Sequence, residues 1–169
     1  MSNVHQILET DHRELDALFD SVFAAVKAAD RDLTFSTLDL FWARLAMHIR
    51  AEHLLLFPAI RNTAEGSSAA VAEQLERLRH DHDFFMTRLA RAIKALRLTP
   101  HFGNETETLK IVREIITAVR ERLIEHNVIE EEVVYPSANH LENTADLAAA
   151  IRKELDNYPA RFARPASPK

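Results

Sequence analysis

The chain has 169 residues, with 26 acidic and 21 basic side chains and a formal net charge of −5, so it is long enough for one domain with a sizeable core. Cysteine is absent, which excludes disulfides, iron–sulfur clusters and thiol chemistry and leaves the redox compartment open. Both charge signs are spread along the chain, which argues against nucleic acid as a partner. No membrane-length apolar run and no signal-like start occur, so a soluble cytoplasmic protein is expected.

The elements are helical throughout, because apolar residues recur by threes and fours. The first helix is expected from about Val4 to Ala29, opened by Asn3 and Gln6 in capping-box spacing, with the seam Leu8, His12, Leu15, Phe19, Val22, Val26. A second begins near Asp32 and carries Leu38, Phe41, Leu45, His48, Glu52, Leu55, Ala59. Pro58 is expected to interrupt it, since proline cannot donate to the carbonyl four residues back. After Gly66 and a cap at Ser67 or Ser68, the third seam reads Val71, Leu75, Leu78, His82, Phe85, Leu89, Ala92, Leu96. Thr99 to Gly103 is expected to be a loop. Asn104 and Glu107 then open the fourth seam, Leu109, Val112, Ile116, Val119, Leu123, His126, Glu130, Val133. A shorter fifth helix from about Thr144 to Leu155 and a basic, mobile tail from Pro159 to Lys169 close the chain. These patterns predict an all-α fold, an antiparallel up-down-up-down four-helix bundle over residues 1–137, followed by the short helix and tail over 138–169.

The seams contain polar residues where the rhythm demands apolar ones: His12, His48, Glu52, His82, His126 and Glu130. His48-x-x-x-Glu52 and His126-x-x-x-Glu130 repeat 78 residues apart, each followed by an aromatic residue and proline, Phe57-Pro58 and Tyr135-Pro136. A four-residue step rotates only about 40° around a helix, so each His and Glu share a face. Burying such groups without partners would cost about 1–3 kcal/mol each, and more for charges. Something inside must satisfy them. Four imidazoles and two carboxylates suit a pair of transition-metal ions, with Glu52 and Glu130 bridging and the histidines terminal. Positions would remain for water, O2, NO or peroxide.

Axial level tests this convergence. In the first hairpin, His12 lies 17 residues before Ala29 and His48 lies 15 after Leu33, which agrees. In the second, His82 lies 15 residues before Arg97 but His126 lies 21 after Glu105, a mismatch of about 9 Å at 1.5 Å per residue. The expectation that removes it is a partly extended stretch from Thr99 to Glu107, with regular helix starting nearer Leu109.

On these residues the chain resembles the hemerythrin-like, HHE cation-binding family, over about residues 3–137. The resemblance implies a non-haem di-iron centre with an oxo or hydroxo bridge, with His12, His48, His82 and His126 as terminal ligands and Glu52 and Glu130 as bridging carboxylates. Zinc or manganese would be substitutes for iron. Oxygen carriers of the family have a further histidine at the position of Leu78 and an aspartate at that of Glu131. Those differences direct the expectation toward a bacterial-type protein that binds O2, NO or a related oxidant in sensing, iron handling or stress response. The alternatives are a peroxide-disproportionating, catalase-like enzyme and a metal-dependent structural or regulatory module. The partner is then a small diatomic or peroxide, and the oligomeric state a monomer or homodimer. Among the other side chains, His80 is expected to be solvated, and His5 to serve in capping or surface packing. His53 is a possible extra ligand, Glu131 is able to orient a ligand imidazole, and Tyr135 is read as a bundle-end aromatic.

Overall fold

The computed structural model describes residues 3–63, 66, 68–141, 143–157 and 159. Its long helices are α1 (Val4–Lys27), α2 (Arg31–Ala51), α4 (Ala69–Phe102) and α5 (Glu105–Ile129). Two short segments, α3 (Phe57–Arg61) and α6 (Tyr135–Ser137), prolong α2 and α5, and α7 (Thr144–Leu155) follows. Short connections force successive helices to run antiparallel. α1 packs on α2 and α4 on α5, and contacts of α2 with α4 and of α1 with α5 close a four-helix bundle. α7 lies against α1 and α2. None of the described helices is long and apolar enough to cross a membrane.

The helices start where their caps place them. Asn3 and Gln6 form the expected reciprocal box. Asp30 accepts from the Leu33 N–H and Ser68 from that of Val71, while Asn104 accepts from Thr106 and Glu107. Gly66 is required by close approach, because a Cβ there would meet the Ile60 carbonyl oxygen at 1.7 Å. The other cap candidate, Ser67, and the tail beyond Pro159 lie outside the described residues.

The stretch from Thr99 to Gly103 is not a loop. α4 continues through Phe102, with Pro100 inside its last turn. Proline at 100 leaves the Leu96 carbonyl without its helical donor, and the Arg31 guanidinium takes that place from the start of α2, Nη2 donating at 2.5 Å. Thr99 adds a bond from its hydroxyl to the Ala95 carbonyl. The extended stretch invoked to level the ligands is therefore absent, and the longer helix does that work instead. His82 lies 20 residues before Phe102 and His126 lies 21 after Glu105, a difference of one residue.

Pro58 does not break its helix either. Residues Glu52–Leu56 form a π-helical turn in which the Phe57 N–H donates to the Glu52 carbonyl, and Glu130–Val134 form a second, closed by Tyr135 N–H on Glu130. Each repeat thus holds one extra residue in its turn just before the aromatic-proline pair. The apolar seam slips by one residue as a result. Leu56 and Ile60 are buried where Leu55 and Ala59 were expected, and Val134 is buried while Val133 is half exposed.

The core divides into two apolar clusters. One is built from Leu15, Phe19, Phe41, Leu45, Phe85, Leu89, Ile116, Leu123 and their neighbours. The other gathers Leu8, Leu56, Phe57, Leu75, Leu78, Val134, Tyr135 and Ile151. On every bundle helix the polar seam residue falls between members of the two clusters. His12 lies between Leu8 and Leu15, and His82 between Leu78 and Phe85. The six polar residues form one layer sealed on both sides by hydrocarbon.

Candidate metal centre

The six side chains converge and are removed from solvent: His12, His48, His82 and His126 are 2–3% exposed, Glu52 and Glu130 not at all. All four imidazoles point Nε2 inward. His12 Nε2 lies 3.1 Å from His48 Nε2 and 3.3 Å from Glu130 Oε2, and His48 Nε2 lies 3.4 Å from Glu52 Oε1. On the opposite side, His82 Nε2 is 3.3 Å from Glu52 Oε2 and 3.6 Å from Glu130 Oε1, and His126 Nε2 is 3.0 Å from Glu130 Oε1. Each carboxylate thus turns one oxygen toward the His12–His48 pair and the other toward the His82–His126 pair. Two donor groups share two carboxylates.

Outward-facing Nδ1 atoms are held by a second layer of residues. His12 Nδ1 bonds Glu131 at 2.7 Å, His48 Nδ1 bonds Asp11 at 2.9 Å, and His126 Nδ1 bonds Asp81 at 3.2 Å. His82 Nδ1 meets His53 Nε2 at 2.8 Å. A carboxylate on Nδ1 keeps the proton there, leaves the Nε2 lone pair free and fixes the ring. Asp11 is gripped in turn by Arg44 at 2.7 Å and Asp81 by Arg122 Nε at 2.5 Å. The arrangement is pseudo-twofold: Asp11 and Asp81 each precede a seam histidine and orient the histidine of the neighbouring helix. The residues following the two bridging candidates, His53 after Glu52 and Glu131 after Glu130, hold the remaining rings.

Titration follows from this geometry. Burial alone would push the His48 imidazole down, but the carboxylates of Glu52 and Asp11 carry it well above the ordinary histidine range. His12 and His126 are raised in the same way, mainly by Glu130 against the effect of burial. Burial would raise the Glu130 carboxyl, yet His126, His12 and His82 hold it well below the usual range. Burial and the neighbouring His82 push His53 down to about 4, so it stays neutral and can accept the His82 Nδ1 proton. Without a cation in the cluster, His12, His48 and His126 favour their protonated forms against the Glu130 carboxylate.

Protons do not complete it. Among the described residues, five buried side-chain atoms lack a hydrogen-bond partner, and three of them are Glu52 Oε2, His82 Nε2 and Glu130 Oε1. Three orphaned donor atoms in one layer, all facing the same point, are what a cation's ligands look like when the cation is left out. The nitrogen and oxygen set fits iron, zinc or a similar ion. His12, His48, Glu52 and Glu130 are close enough to one another to share one ion, and His82, His126 and Glu130 a second.

The hemerythrin HHE cation binding domain profile matches residues 3–138. The chain belongs to the hemerythrin HHE family. Family and buried donor cluster together indicate a metal-binding protein, with iron the usual metal. No curated protein and no solved structure matches this hemerythrin-like chain.

Other expected positions are placed as follows. His80 is exposed on α4, 3.9 Å from Glu76. His5 stands beside the site, its ring 6.2 Å from that of Tyr135. Glu131 does orient a ligand-layer imidazole. Tyr135 is not a bundle-end aromatic: it is fully buried, and its hydroxyl donates to Glu52 Oε1 at 2.7 Å and reaches His12 Nε2 at 2.9 Å. Burial and the carboxylates of Glu130 and Glu52 push its phenol well above the ordinary tyrosine range. In an α-helix the residue five after Glu130 would stand about 140° away, but the π turn stacks the two. Spacing does not single out Asp11 and Asp81, although a signal exists. The dipeptide Asp-His occurs at 11–12 and again at 81–82, once before each seam histidine that lacks its own glutamate.

Proposed function

We propose that this hemerythrin-like chain holds a non-haem di-iron centre and binds O2, NO or a related small oxidant, in sensing, iron handling or the response to oxidative or nitrosative stress. The observation that carries the reading is the pair of donor groups sharing both oxygens of Glu52 and Glu130. His12, His48, His82 and His126 would be terminal ligands and the two glutamates would span both ions. Bound iron supplies electrons and open coordination positions for a small ligand, since these side chains offer fewer donors than two six-coordinate ions accept. The chain's own residues do the rest. Asp11, Asp81, Glu131 and His53 hold the rings on Nδ1, so the centre is preorganised rather than assembled on binding. The two apolar clusters exclude bulk water and favour a small, weakly solvated ligand. A surface recess of about 440 Å³, lined by Arg77, Asp81, Phe84, Arg122 and His126, lies outside the second donor pair, on the side of the Asp81 anchor.

The test is to load the protein with ferrous iron without air and mix it with O2 or NO. A new visible absorption band is expected. An unchanged spectrum with both reagents would remove the proposal. Rapid O2 release from added peroxide, abolished by Glu52→Ala, would instead place the chain among peroxide-disproportionating enzymes. A protein from its own host holding only colourless zinc would make it a structural or regulatory module.

A further inference from the structure

The two halves of the metal layer match in their ligand candidates and differ at two pairs of positions, His53 against Glu131 and one further pair. Five residues after Glu52 stands Phe57, and five after Glu130 stands Tyr135. Each is carried inward by its π turn and each is followed by proline. The Phe57 ring lies parallel to His82, 6.2 Å between centroids, whereas the Tyr135 ring lies 5.4 Å from His12. Only the first half therefore receives a hydroxyl oxygen.

That oxygen has an informative position. It is 2.7 Å from Glu52 Oε1, 2.9 Å from His12 Nε2, 3.2 Å from Glu130 Oε2 and 3.4 Å from His48 Nε2. These are the four donor atoms of the first group. Around that group, His12 to His48 measures 3.1 Å, His48 to Glu52 3.4 Å and Glu130 to His12 3.3 Å. Donors at right angles on an ion with bonds of about 2.1 Å stand about 3.0 Å apart. The four atoms have the spacing of neighbours around an ion, and the phenol oxygen is a neighbour of all four. As a hydroxyl it donates its one proton to a carboxylate and can accept from an imidazole N–H; as a phenolate it would present lone pairs to the point that all four donor atoms surround.

We infer that Tyr135 is a ligand: with metal bound, its phenolate oxygen caps the ion held by His12, His48, Glu52 and Glu130. This rests on the di-metal reading above and extends it. Ligation exchanges the O–H bond for an O–metal bond, and the proton leaves to solvent with those displaced from the imidazoles. The two ions are then unequal. An ion held by His82 and His126 would have the Phe57 ring beside it in place of a phenolate, which would leave it the open positions for an incoming ligand.

Two tyrosines occur in the chain, Tyr135 and Tyr158, so the signal can be assigned. The protein is loaded with ferrous iron, oxidised in air and examined by visible absorption and resonance Raman spectroscopy. A phenolate-to-ferric charge-transfer band with phenolate ring modes is expected, lost in Tyr135→Phe and retained in Tyr158→Phe. Loading with zinc is expected to give a tyrosinate ultraviolet difference signal in the wild type and in Tyr158→Phe. That measurement decides the matter even if Tyr135→Phe fails to fold. Metal bound without any phenolate signal, or a signal surviving Tyr135→Phe, overturns the assignment of Tyr135 and leaves the di-metal reading standing. A wild type that binds no metal overturns both.

Discussion

Removing the metal should cost the protein a measurable part of its stability, and the amount follows from the buried layer. Three atoms there, Glu52 Oε2, His82 Nε2 and Glu130 Oε1, have no hydrogen-bond partner. An unsatisfied buried polar atom costs about 1–3 kcal/mol; these three keep His–Glu contacts at 3.0–3.6 Å, so ligation gains only part of that for each. From the binding side, a ligand at a thousand times its Kd stabilises the native state by about 4 kcal/mol. For a chain of this size each kcal/mol moves the melting temperature by about 2–4 °C, which gives a rise of about 8–16 °C on loading. Calorimetry of chelated protein, before and after addition of ferrous iron or zinc, measures this directly. His80→Ala removes an exposed imidazole and should show the same rise, whereas Glu130→Ala should show little of it. A melting temperature indifferent to metal, or a rise that survives Glu130→Ala, would refute the reasoning.

Two further predictions follow from particular contacts. Asp11→Ala and Asp81→Ala should each weaken metal binding about 10–100-fold, since each frees one ligand imidazole from its Nδ1 anchor. Titration against a competing chelator should show two binding steps, with Asp11→Ala acting on the ion at His48 and Asp81→Ala on the ion at His126. Arg31→Ala should destabilise the fold by about 1–3 kcal/mol, because it strips the donor from the Leu96 carbonyl that Pro100 cannot serve. In a Pro100→Ala background the helix restores its own bond and the cost of Arg31→Ala should shrink. Urea unfolding of the four proteins in that double-mutant cycle gives the coupling, and additive costs would show that Pro100 and Arg31 act independently.

Much of this centre was legible in the sequence because it is written in helical periodicity. His12, His48, Glu52, His82, His126 and Glu130 stand in apolar seams, and a single face fixes their direction whatever the detailed packing. What eluded the sequence lies where the period changes. A π turn at Glu52–Leu56 and another at Glu130–Val134 add a residue, so the seam beyond each shifts and Tyr135 swings from the bundle end into the metal layer. Pro100 reads as a breaker, and nothing local shows that Arg31, on another helix, supplies the donor for the carbonyl it leaves free. Asp11 and Asp81 sit beside seam histidines and look like ordinary surface carboxylates until the hairpin places them against His48 and His126. Those are tertiary facts, and periodicity carries no record of them.

The central claim concerns paired ions held in one buried layer, and counting metal tests it most directly. Elemental analysis of protein purified from its own host should find two iron ions per chain, about one in His126→Ala and an undiminished pair in His80→Ala. Metal-free wild-type protein, a single ion per chain, or the same loss in both variants would contradict the account.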